Sequence, residues 1–396
     1  MNKLKDIMTF PASIDYDDVV ETEFKKSWGV QLFVRSVFDI GEGVGEVLVY
    51  GSGALRSYLG VLEDVVVPYV KSIHLNLDDF ITLRHEDLRR KILRLVETIE
   101  KLIFTAGYCS VTLGAIGGFE MSLWDAISKV KETSLASIIG PVVRDRVKVY
   151  ASFPRYNSME KTLQAIDLAL SRGFKIVKLH EKPNLLPGTL RKIREIYGYE
   201  IEVSIDINAP FDNPNDALEF IDSIYRYEPA WIEEPTWPPN DYEKLKVVAT
   251  KSPIPIGAGE NSYTLQDFRN LVRTGIKYLQ PDISKVGGVA KFIEILNEIM
   301  RRREKDQEIM PHLRPHRSII AHLFTVHVAA VHEEISLIEW PLAPPPYDLI
   351  SEKIEVLNGE ISLPRKIGLG ISLNFDLLTS KYKYHYVPRF LRYSDL

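Results

Sequence analysis

Apolar and polar positions along the chain change rhythm twice. Leu32 to Phe38 and Val44 to Tyr50 are short β-like stretches separated by Gly41-Glu42-Gly43, which predicts a hairpin. Between about 55 and 135 the rhythm turns helical. Leu88, Ile92, Leu95, Val96 and Ile99 fall on one face at the 3.6-residue period, with Arg and Glu opposite them. A second helix is predicted from Gly117 through Trp124 to Val130. Strands first and helices after make this opening block α+β.

Near residue 145 short apolar runs begin to alternate with helical stretches. The runs are Val147–Ala151, Lys175–Leu179, Glu202–Ile207, Ala230–Ile232, Ile254–Gly257, Tyr278–Gln280, Ile309–Met310 and Ser336–Ile338. Eight βα-sized units in succession predict an α/β fold built on a closed (β/α)8-type TIM barrel. A doubly wound open sheet would more often show fewer strands and a Gly-rich phosphate loop after the first, which is absent. The tail reads as β-rich and irregular, with a turn at Asn358-Gly359. The expected division is an opening domain over 1–140, a barrel over 145–355 and a tail over 356–396.

Composition narrows the class. Forty-nine basic residues against 54 acidic ones, a net charge of −5, leave no basic excess for a phosphate backbone, so no nucleic-acid partner is expected. One cysteine excludes an intramolecular disulfide framework and a Cys-built zinc site. No apolar run reaches transmembrane length and no signal-like stretch opens the chain, so a cytoplasmic protein with no membrane partner is expected.

Barrel active sites form where the strands end, so the polar residues closing each run carry the chemistry. Asp206, Glu233 and Glu260 stand 27 residues apart, one carboxylate per successive strand end. Three acids converging on one mouth repel unless a hard cation neutralises them, and oxygen ligands select Mg2+, with Mn2+ as substitute. Asn208 alternates onto the same face as Asp206 and is a candidate to orient substrate. Lys178 and His180 share the inward face of the second strand, and an ammonium beside a base favours its neutral, proton-accepting form. Asp282 and His312 close adjacent strands and can form an Asp–His dyad, and Glu339 adds an acid from the eighth strand.

In this order and spacing the motifs resemble the enolase superfamily, and within it the mandelate racemase group of acid-sugar dehydratases and racemases. The resemblance runs from Gly43-Val-Gly45-Glu46 and Leu123-Trp124-Asp125 through Lys178-x-His180, Asp206-x-Asn208, Glu233-Glu234-Pro235 and Gly259-Glu260. It continues through Asp282-x-x-Lys285-x-Gly287-Gly288, His312 and Glu339 to Gly368-Leu369-Gly370. It implies a modified enolase-type barrel with an N-terminal capping domain that the tail completes. It implies that Asp206, Glu233 and Glu260 hold Mg2+, that the metal holds a substrate carboxylate, and that Asp282 and His312 form the dyad. Glu339 then supports the substrate or its enolate. One departure stands out: the family usually carries a second lysine where this chain has His180.

The expected reaction removes the proton α to the carboxylate of an aldonate-type sugar acid and expels the β-hydroxyl, giving a 2-keto-3-deoxy acid. Racemisation or epimerisation through the same enediolate, and a non-catalytic metal- and sugar-acid-binding homologue, are the alternatives. Capping loops at Ile14–Trp28 and Tyr50–Arg56 are expected to select the substrate, with Tyr16 and Trp28 as lid contacts and His316 as a further substrate contact. His322, His327 and His332 read as packing or surface residues, and Arg301-Arg302-Arg303 as a solvated helix end. The partner expected is a small carboxylate, and the chain is expected to form a homo-oligomer.

Overall fold

The computed structural model describes residues 2–14, 30–49, 54–312, 318–342 and 348–384. The chain begins with a three-stranded antiparallel sheet, β1 (Leu4–Ala12), β2 (Gln31–Phe38) and β3 (Glu42–Leu48). The predicted hairpin is β2–β3. Three short helices, α1 (Leu55–Val61), α2 (Val67–Ser72) and α3 (Asp78–Ile81), lead to α4 (His85–Ile103) and α5 (Ser110–Val130). Helix α4 buries the predicted stripe Leu88, Ile92, Leu95, Val96 and Ile99. Helix α5 is buried along nearly its whole length because the sheet lies directly on it. That approach needs glycine: a Cβ on Gly43 would stand 2.0 Å from Ser122 O, and one on Gly45 1.9 Å from Gly118 O.

After α6 (Leu135–Ile139) the barrel starts with β4 (Arg146–Ser152). Seven βα units follow: α7 (Met159–Ser171), β5 (Ile176–His180), α8 (Leu186–Tyr197), β6 (Glu202–Asp206), α9 (Pro214–Ile224), β7 (Ile232–Glu233), α10 (Tyr242–Lys251), β8 (Ile256–Ala258), α11 (Leu265–Val272), β9 (Tyr278–Leu279), α12 (Val289–Arg302), β10 (Glu308–Ile309) and α13 (Ile320–Ala329), leading to β11 (Ile338–Pro341). Each strand from β4 to β10 pairs in parallel with the next. The ring closes through β11, parallel to β4, and a bridge from Ile309 to Ile335. Aliphatic side chains pack the strands against their helical jacket, while a separate cluster of Tyr150, Trp231 and Met310 packs beneath Lys178, so the chemistry is left to the C-terminal ends of the strands.

The last described segment does two jobs. A hairpin, β12 (Val356–Leu357) and β13 (Glu360–Ser362), turns at Asn358-Gly359 and adds to the start of β4. The chain then runs back to the opening sheet, where Phe375 packs on Phe10 and Tyr384 N–H donates to Pro11 O at 3.1 Å. No helix among the described residues is long and apolar enough to cross a membrane.

Candidate active site

Strand register assembles the site. In the ladder His180 lies opposite Asp206, Asp206 opposite Glu233, and Glu233 opposite Gly257. Period-2 alternation then turns Lys178 inward with His180, one step deeper in the barrel. The Lys178 ammonium is fully buried and sits 2.7 Å from Glu233 Oε2, 2.9 Å from Glu339 Oε1 and 3.8 Å from Asp206 Oδ2. Burial opposes its charge, yet Glu233 and Glu339 hold its pKa well above the usual lysine range. Lys178 is therefore a fixed cation beneath the acids.

Asp206 is held at both oxygens. Its Oδ1 accepts both the N–H and the side-chain amide of Asn208 at 2.9 Å, and its Oδ2 lies 2.9 Å from His180 Nε2. Burial raises its pKa, but His180 and Lys178 more than offset that and lower it. Glu233 accepts the Trp231 indole N–H at 2.7 Å and the Gln280 amide at 2.6 Å. Gly257 makes the second contact possible, since a Cβ there would come within 2.9 Å of Gln280 Oε1. Burial pushes the Glu233 carboxyl up despite Lys178.

On the opposite wall His312 Nε2 lies 2.5 Å from Glu260 Oε2 and 3.2 Å from Glu339 Oε2, with Nδ1 3.8 Å from Asp282. Burial disfavours the imidazolium, but Glu260 and Glu339 raise the His312 pKa well above its usual value. The same ion pair, with Lys285, holds Glu260 well below the carboxylate range against the cost of its burial. Asp282 is locked by the N–H and hydroxyl of Ser284 at 2.8 and 2.6 Å.

Sequence reasoning assigned no chemistry to a bracket beside Glu260. The Asn261 amide donates to Glu260 at 2.9 Å and to Glu234 at 2.7 Å, while buried Lys285 stands 3.6 Å from Glu260. Burial pushes Glu234 well above its usual range, reinforced by Glu260 and Asp206. Arg155, also unassigned, reaches Asn208 Oδ1 from the end of β4 at 2.8 Å. Of the candidates named from sequence, the described structure gathers Lys178, His180, Asp206, Asn208, Glu233, Glu260, Asp282, His312 and Glu339. Tyr16, Trp28 and His316 lie outside the described residues, as does most of the expected lid.

The cluster fits a divalent cation. Asp206, Glu233 and His312 each offer one ligand atom, all within 4.8 Å of one another. Five carboxylates (Asp206, Glu233, Glu234, Glu260 and Glu339) face Lys178, Lys285 and the two histidines, and two of the five are driven toward protonation by crowding and burial. A hard cation relieves that excess, and oxygen donors are what Mg2+ selects.

The latches between cap and barrel explain two further motifs. Glu46, at the end of Gly43-Val-Gly45-Glu46, accepts the Ser318 hydroxyl and the N–H groups of Ile319, Ile320 and Ala321 at 2.8 to 3.1 Å. It thereby caps α13, the helix that follows His312. Glu120 accepts Val289 and Ala290 N–H, both at 2.8 Å, and so caps α12 after Asp282; Trp124 donates to it at 2.7 Å. Asp125 ties Val44 N–H to Leu369 N–H of the Gly-Leu-Gly tail. His327 joins Ala136 N–H to Leu369 O, and His322 packs edge-on against Trp340, so both histidines are packing residues.

An acid-lined mouth on a parallel barrel, latched beneath an α+β cap, defines an enolase-type capped barrel enzyme. Residues 161–377 match the family described as Enolase C-terminal domain-like, and the chain belongs to that family, in the mandelate racemase/muconate lactonizing enzyme branch of the enolase superfamily. A curated relative, the D-galactonate dehydratase of Pectobacterium atrosepticum, is 25% identical over 309 residues, 73% of this chain and 79% of its own. Among solved structures, the 3,6-anhydro-D-galactonate cycloisomerase from Zobellia galactanivorans superposes with a TM-score of 0.77 at 21% identity, covering 97% of this chain and 100% of that one. The L-talarate dehydratase from Polaromonas sp. JS666, solved with Mg and L-glucarate, gives 0.75 at 19% identity over 97% and 98% of the two chains. At these identities the solved structures establish the fold.

Proposed function

We propose that this protein is a Mg2+-dependent sugar-acid dehydratase of aldonate type, a carbon–oxygen lyase. The observation that carries the reading is the buried Asp206–Glu233–His312 cluster with His180 and His312 reaching it from separate walls. The likeness to the D-galactonate dehydratase supports the same reaction class. In this reading Asp206, Glu233 and Glu260 hold the metal, Glu260 supplying the third oxygen that a hard cation prefers over the His312 nitrogen. The bound cation would neutralise the substrate carboxylate and stabilise charge developing on it.

His180 and His312 are the two proton-transfer groups. One removes the α-proton, leaving an enediolate. The other donates a proton to the β-hydroxyl, which departs as water, and the resulting enol tautomerises to a 2-keto-3-deoxy acid. Asp206 orients His180 and Asp282 orients His312, while Lys178 and Glu339 fix the charge around the enediolate. Positioned acid and base groups each contribute on the order of 10²–10⁴-fold. The working protein in this reading is a cytoplasmic homo-oligomer, divided into a cap over 1–140, a barrel over 145–355 and a tail over 356–396.

Incubating a sugar-acid library with Mg2+ and assaying for 2-keto-3-deoxy acids tests the assignment. At least one aldonate should yield such a product. Two opposed bases also suit racemisation, so epimerised acids with no keto-deoxy product would make the protein an epimerase instead. Binding without turnover or solvent-deuterium exchange would make it a binding homologue.

A further inference from the structure

The first barrel strand carries a cation to the rim. Phe153 N–H donates to Lys178 O at 3.1 Å, which pins the chain just before Arg155. Just after it, the buried Glu181 carboxylate accepts the N–H groups of Tyr156 and Asn157, each at 3.2 Å, and the Thr162 hydroxyl at 3.1 Å. The backbone under Arg155 is therefore held on both sides. Its Nη2 donates to Asn208 Oδ1 at 2.8 Å, its Nε is buried without a hydrogen-bond partner, and its guanidinium makes no ion pair among the described residues.

Asn208 is tied at its backbone, its amide and its side-chain oxygen. Its amide and its N–H both go to Asp206, and its side-chain oxygen already takes Arg155. What this corner still offers is a set of guanidinium N–H donors engaged by no hydrogen-bond acceptor beyond Asn208; the nearby Glu181 carboxylate, which Arg155 helps to keep charged, is already taken by Tyr156, Asn157 and Thr162. Such a group reads oxygen lone pairs, and its planar fork suits two oxygens on neighbouring atoms. The fork stands two hydrogen bonds along the rim from Asp206, so an acid whose carboxylate lies at the Asp206–Glu233 end meets it only with carbons far from that carboxylate.

We propose that Arg155 is a specificity-determining residue that grips the distal hydroxyl oxygens of a five- or six-carbon sugar acid, selecting long polyol acids over short hydroxy acids. This rests on the sugar-acid reading above and names the part of the substrate that the β4–β6 rim recognises.

Calorimetric titration in Mg2+ compares six-carbon aldonates with glycerate on wild type, Arg155→Gln and Arg155→Lys, with Mg2+ alone titrated alongside. Arg155→Gln should weaken the best aldonate about 10- to 100-fold, the worth of a charge-assisted hydrogen bond or two. Glycerate and Mg2+ affinities should hold, and Arg155→Lys should recover part of the loss. For a turned-over aldonate, KM should change more than kcat. Unchanged aldonate affinity overturns the proposal. So does an equal loss for Mg2+, glycerate and aldonate, which would mean that Arg155 serves only to hold Asn208 against Asp206. Binding is read without turnover: Arg155-dependent aldonate binding with no keto-deoxy product keeps the clamp and removes the dehydratase reading, and a wild type that binds no aldonate removes both.

Discussion

Lys178 shows how one residue sets the character of the site. A fully buried ammonium among three carboxylates cannot be removed without leaving charges uncompensated, and such a break costs about 3–5 kcal/mol. Lys178→Met should lose stability of that order in urea denaturation, and Mg2+ should return part of it by neutralising the same acids. Wild-type stability in that variant would contradict the charge balance drawn here. The roles of Glu260 and His312 separate in a second measurement. Glu260→Gln should weaken Mg2+ at least about 10-fold, because a hard cation loses an anionic oxygen. His312→Asn should keep most Mg2+ affinity but abolish α-proton exchange on its face of the substrate. The reverse pattern would make His312 the third ligand. Asp206 and Glu233 were legible in the sequence because strand alternation and regular spacing locate them. The turn of Glu260 onto His312, the Asn261 bracket and the reach of Arg155 were not, because each depends on a neighbour from another strand.

At the scale of elements, two cap carboxylates terminate barrel helices. Burial pushes Glu46 up to about 7, and Glu120 likewise, against the N–H donors that stabilise their charged forms. Their unfolded values lie near the ordinary carboxylate range, about 4.3. Between those limits the folded state binds more protons than the unfolded one, so stability falls as pH rises from about 4 to about 7. Each group contributes about 4 kcal/mol across that window by the linkage relation. Denaturation of wild type and Glu46→Gln across this range should show a shallower decline in the variant; parallel curves would sink the assignment. The hairpin, the α4 stripe and the barrel strands were readable from periodicity. Strand β1 was not, since only Ile7 and Ala12 of its nine residues are buried and its alternation is correspondingly faint.

For the whole molecule, the latches couple the cap to the helices that follow Asp282 and His312. Removing both, with Glu46→Ala and Glu120→Ala together, should lower the thermal midpoint and split a single calorimetric transition into two. A single transition at the wild-type temperature would show that apolar packing alone holds the two parts together. The barrel was visible in the sequence through its eight-fold rhythm, and its cap through the resemblance to the enolase superfamily. How tightly the cap is bound was not, because Glu46 and Glu120 look like ordinary strand and helix acids until α13 and α12 are placed against them.

By itself the sequence determined the barrel, the strand ends and the presence of an acidic, oxygen-donor cluster, because these follow from local periodicity and residue chemistry. Tertiary structure alone decided which acids are paired and which are driven toward protonation, which helix each cap carboxylate terminates, and which cation reaches the rim. Those outcomes depend on distances between residues far apart in the chain, and on burial, which changes the energy of a charge by more than any local pattern reveals.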